Sequence, residues 1–70
     1  MSPIEADLEL TRLHIRKLEA RVAARRAKVA VMRAVGRQTN AEDEALRELA
    51  TSLQYLKNHR ASITASDTHA

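Results

Sequence analysis

"VGRQTNAEDEAL", Val35 to Leu46, decides the fold of this 70-residue chain. It contains the chain's only glycine, Gly36, set between two long segments that have no breaker of their own. Upstream, nothing after Pro3 interrupts a helix until Gly36, and Arg33 suits the negative end of the helix dipole just before it. Downstream, Thr39 can cap a second helix, with Glu42 three residues on as the other half of a capping box. Asn40 with Asp43 offers the same pairing one residue later. Glu42, Asp43 and Glu44 place negative charge at the positive end of the new helix. A turn this short forces two helices to run antiparallel.

The first helix has an equally clear start. Ser2 stands at the N-cap, Pro3 at the first helical position and Glu5 three residues after the cap. The spacing predicts helix 1 over about residues 3–35 and helix 2 over about 41–63. Residues 64–70, "TASDTHA", show no periodicity and are expected to form a disordered C-terminal tail beyond a single hairpin domain, 1–63.

Apolar spacing sets the faces. Leu8, Thr11, Ile15, Leu18, Val22, Arg25, Val29 and Met32 recur at alternating steps of three and four, as do Leu46, Leu49, Leu53, Leu56, Arg60 and Ile63. These are coiled-coil seams. Matching them predicts Met32 opposite Leu46, Val29 opposite Leu49, Arg25 opposite Leu53, Val22 opposite Leu56, Leu18 opposite Arg60 and Ile15 opposite Ile63. The fold class is therefore all-α, an antiparallel two-helix hairpin with coiled-coil-like packing.

Two features exceed a lone hairpin. Helix 1 is longer, so Ile4, Leu8, Leu10 and Leu13 are expected to overhang helix 2. A further apolar stripe, Leu10, Leu13, Ala20, Ala24, Ala27, Val31 and Ala34, lies off the seam. A chain this short buries little core and has no cysteine for a disulfide staple. Contiguous exposed apolar surface marks an interface. The reading is self-association through Ile4, Leu8, Leu10 and Leu13, first as a homodimer in which two hairpins form a four-helix arrangement.

Charge is unevenly spread. Residues 12–37 hold nine Lys/Arg against Glu19 alone, while residues 42–48 hold four acids against Arg47. Most of the cations fall beside the seam, where charges flank a coiled-coil core. A nucleic-acid or other polyanion interface would use Arg12, Arg16, Arg21, Arg25, Arg26, Lys28, Arg33 and Arg37. No helix-turn-helix, zinc pattern or aromatic stacking platform accompanies them, so this reading is the alternative and not the first choice.

Chemistry is sparse. There is no nucleophile–base pair, no phosphate loop and no set of metal ligands at recognised spacing, so no catalytic, cofactor-binding or metal residue is assigned, and the expectation is a non-enzyme without cofactors. The apolar runs are too short to span a bilayer, and "MSPIEADLEL" does not read as a signal peptide, which predicts a cytoplasmic protein without membrane contact.

The combination of "TRLHIRKLEARVA", "GRQT" and "AEDEALRELATSLQYLKNHRASI" resembles a group of small, uncharacterised two-helix proteins of alphaproteobacteria, rhizobia especially. The matching positions are Arg12, His14, Ile15, Glu19, Gly36, Thr39, Leu46, Leu49, Ser52, Leu53, His59, Arg60 and Ile63. That pattern often has Gln where this chain has Arg25, and His-Asp where it has Arg37-Gln38. The resemblance implies a bacterial helical hairpin and brings no reaction. It suggests that His14, His59 and Arg60 gather at the open end as a docking site for a protein partner. The functional expectation is a non-enzymatic interaction or oligomerisation module that self-associates through helix 1 and docks on a larger protein.

Overall fold

The computed structural model describes residues 2–68. It is an antiparallel hairpin of two helices, α1 (Pro3–Ala34) and α2 (Asn40–Thr68), forming a rod of 54 × 17 × 13 Å.

Both ends of α1 close as their residue types require. The Ser2 hydroxyl accepts from the Glu5 amide at 3.2 Å and the Glu5 carboxylate accepts from the Ser2 amide at 3.4 Å. That reciprocal pair satisfies two amides that a helix start otherwise leaves unpaired. At the other end Val35 is the C-cap and Gly36 takes φ +77°, a left-handed conformation open to glycine at little cost. The Gly36 amide donates to the Arg33 carbonyl at 3.0 Å and the Arg37 amide to the Met32 carbonyl at 2.8 Å. This is the paired hydrogen bonding of a Schellman turn.

The seam packs at the expected positions. Leu8, Thr11, Ile15, Leu18, Val22, Arg25, Val29 and Met32 are the residues of α1 that are buried or half-buried, and every other described position of α1 is exposed. On α2, Leu46, Leu49, Leu53, Leu56, Arg60 and Ile63 turn inward with them. Among the described residues the buried aliphatic core is small: Ile15, at 2% exposure, with Val22, Val29 and Ile63.

The register differs from the one the seam spacing alone suggests. Arg25 shares a groove with Leu49 rather than Leu53, and Arg60 lies along Ile15 rather than Leu18. The second helix sits nearer the open end than that spacing suggests, far enough for His59 to meet Asp7. The turn is the cause. Gly36 reverses the chain at once, and Thr39 folds back against the end of α1, buried, with its hydroxyl accepting from the Arg33 Nε at 3.4 Å. Thus α2 starts beside the last turn of α1 instead of above it.

The C-terminal segment is also corrected. Residues 64–68, expected as a disordered tail after Ile63, continue α2 to Thr68; residues 69 and 70 lie outside the described residues. Missing periodicity in "TASDT" goes with the exposure of Thr64, Ala65 and Ser66. It does not break a helix, which takes a Gly or Pro that this segment lacks. The Thr64 hydroxyl donates to the Arg60 carbonyl at 2.9 Å within the same helix.

Slippage and extension together remove most of the expected overhang. His59 Nε2 lies 3.5 Å from Asp7 Oδ2, so α2 reaches the second turn of α1. Leu8 is half-buried, and only Ile4 remains exposed at the open end of the seam.

Candidate interaction surface

Within the seam near the turn, Arg25 Nη1 donates to Glu42 Oε2 at 2.6 Å, and Lys28 Nζ lies 3.5 Å from Glu42 Oε1. The Glu42 side chain is only 19% exposed. The Arg25 hydrogen bond holds its carboxyl below the ordinary value, assisted by the charges of Lys28 and Arg25, while partial burial works in the opposite direction. Sequence spacing placed Glu42 in a capping box with Thr39. It turns instead to α1, and the Thr39 hydroxyl donates to Asp43 Oδ2 at 2.9 Å. A signal for this was present: Glu42 falls four residues before Leu46, which makes it the next seam position of α2.

Beside that layer, Arg33 Nη2 meets both oxygens of Asp43 at 3.1 Å. Among the described residues, Arg25, Lys28 and Arg33 are therefore engaged by α2, whereas Arg12, Arg16, Arg21, Arg26 and Arg37 enter no ion pair. The row of eight expected polyanion contacts is thus divided. At 100° per residue, Arg12, Arg16 and Arg26 project to one side of α1 and Arg21 to the other, with Arg37 in the turn.

The four residues expected to self-associate are divided as well. Ile4 and Leu8 belong to the seam face. Leu10, 52% exposed, and Leu13, 39% exposed, point the opposite way. They begin the second apolar stripe, which continues through Ala20, Ala24, Ala27, Val31 and Ala34, all exposed. Val31 is 65% exposed. The stripe follows steps of three and four with Lys17 as its single polar member, so α1 carries two heptad faces back to back and α2 covers one. Among the described residues no comparable stripe exists on α2, whose outward face presents Glu44, Glu48, Thr51 and Tyr55.

Among the described residues, His14, His59 and Arg60 make no hydrogen bond or ion pair with one another. His59 is held against Asp7 on one side of the hairpin, His14 is exposed, and Arg60 is half-buried along the seam beside Ile15, Arg12 and Arg16. Among the described residues no group of three His, Asp or Glu side chains is placed to hold a metal ion, and no helix is long and apolar enough to cross a membrane. Compared with family models, curated proteins and solved structures, the chain matches none.

Proposed function

We propose that this chain is a non-enzymatic protein-interaction module whose working surface is the outward face of α1. The observation that carries the reading is that α1 is apolar on two opposite faces and α2 covers one of them. A helix that is apolar on both faces gains stability when both are packed, and a hairpin with four buried aliphatic residues among those described has little stability of its own. Leu10, Leu13 and Val31 supply the larger apolar groups, and the alanines between them let a further helix approach closely. A second copy of the chain or a helix of a larger protein meets this requirement. Ile4 and Leu8 contribute at the open end only to a partner that wraps around the hairpin, because they lie on the other face.

Site-specific photo-crosslinking tests the reading. A benzoylphenylalanine is introduced at Ala24, on the outward face of α1, or at Thr51, on the outward face of α2, in cells that express the chain. Discrete protein adducts are expected from position 24 and not from position 51. Adduct mass distinguishes a dimer from another protein. No adduct at 24, or equal yields at both positions, removes the assignment.

A further inference from the structure

The partner's chemistry can be read from the charges that border the uncovered face. Arg16 stands at one edge of the Leu10–Ala34 stripe, Lys17 within it, and Arg21 and Lys28 at the other edge. Among the described residues, Arg16, Lys17 and Arg21 enter no ion pair, and Lys28 alone is partly neutralised, by Glu42. Of the acids of α1, Glu9 and Glu19 stand beside Arg16 and Asp7 faces His59, so Lys17 and Arg21 are left with no acid of α1 at their side. Asp43 and Glu42 are committed near the turn, and Glu44 and Glu48 lie on the far side of α2. On the basis of the interaction-module reading, we propose that the outward face of α1 docks an acidic amphipathic helix of another protein, its apolar residues seated on Leu13, Ala24 and Val31 and its carboxylates on Arg16, Lys17 and Arg21.

Other occupants fit less well. An antiparallel second copy satisfies the stripe in size, because one two-fold axis near Val22 sets Leu13 against Val31 and Ala20 against Ala24. The same axis sets Arg21 against Arg21 and Lys28 against Lys17, like charges with no acid between them. A parallel copy sets Lys17 on Lys17. Nucleic acid would satisfy the cations and leave a strip of leucine and alanine methyl groups about 36 Å long without a complement. An acidic amphipathic helix answers both the apolar strip and its borders. The uneven stripe also indicates its sequence: large aliphatic residues opposite Ala20, Ala24 and Ala27, and small ones opposite Leu10 and Leu13.

The test titrates the full chain against labelled synthetic helices by fluorescence anisotropy, at about 0.05 M and about 0.3 M salt. One helix carries leucine at the seam and glutamate at both flanks. A second replaces the glutamates with lysine. Polyglutamate and single-stranded DNA serve as anions without an apolar seam. The glutamate helix is expected to bind at least about tenfold more tightly than the lysine helix and than either anion. Leu13→Glu should weaken it about tenfold or more, helicity being checked by circular dichroism. Ala24→Arg is the second variant: it adds positive charge and bulk on the face, so packing predicts weaker binding and charge attraction alone predicts tighter binding. Equal binding of the lysine helix overturns the acidic partner while leaving the face as an interface. Equal binding of either anion, or tighter binding by Ala24→Arg, assigns the surface to polyanions and overturns the proposal. A dimer by light scattering that strengthens with salt and excludes the glutamate helix assigns the face to a second copy. No binding of either helix by a monomeric chain removes both the proposal and the interface.

Discussion

Arg25 Nη1 and Glu42 Oε2 meet at 2.6 Å across the seam, one charge from each helix, both at positions that the heptad spacing would fill with aliphatic residues. A paired charged layer in a largely aliphatic seam favours one register, because sliding either helix by a turn strands the charge against a hydrocarbon. Reversing one member, as in Arg25→Glu, should therefore lower Tm. The double variant Arg25→Glu with Glu42→Arg should recover a substantial part of the loss. Thermal unfolding of the four chains checks this, and a double variant no better than the worse single one would show that the layer does not set register.

The same layer makes stability depend on pH. The folded-state pKa of Glu42 is lowered from the ordinary 4.5, so its contribution is fully present above that value. The contribution is lost as pH falls through the folded pKa, since the unfolded chain then binds the proton more readily. The expected result is a Tm advantage of the wild-type chain over Glu42→Gln near neutrality that shrinks below pH 4.5. An advantage unchanged at acid pH would mean that the glutamate acts by shape and not by charge.

Gly36 tests the turn. Its left-handed φ of +77° disfavours any residue with a Cβ, while a Cβ built there meets nothing within 4 Å. The cost of Gly36→Ala is then conformational alone, about 1 kcal/mol, which lowers Tm by about 4–8 °C in a domain of this size. Calorimetry of the two chains reads it directly. No change would imply that the turn relaxes to a different cap.

Two residues of α1, two positions apart, should behave oppositely. Ile15 is buried in the seam and Leu13 is exposed on the outward face. Ile15→Ala should destabilise by about 2–5 kcal/mol, enough to melt most of so small a hairpin. Leu13→Ala should cost the isolated chain about 0.5 kcal/mol or less. Urea titration followed by circular dichroism separates them. A large loss at Leu13 would mean that the outward face is already packed in the free protein.

Much of the architecture was written in local chemistry. Ser2 with Glu5 begins a helix, Gly36 ends it, and steps of three and four from Leu8 to Met32 and from Leu46 to Ile63 name the residues that turn inward. Each depends on neighbours within one or two turns, where spacing along the chain is also spacing in space. The contents of the candidate surface were legible in the same way, since Leu10, Leu13 and the alanines share a period.

Tertiary structure decided what faces what. How far the turn folds back depends on Thr39 burying against α1 and bonding Arg33, and this moved α2 along α1 toward the open end. That shift brought Glu42 to Arg25 and His59 to Asp7, and it covered most of the overhang. It also showed that Leu10 and Leu13 are exposed because they lie on the far side of α1 from α2, and not because α1 outruns its partner. Periodicity determines which side of each helix is apolar. Only packing across the turn, where residues distant in sequence compete for the same contacts, determines which of those sides is covered.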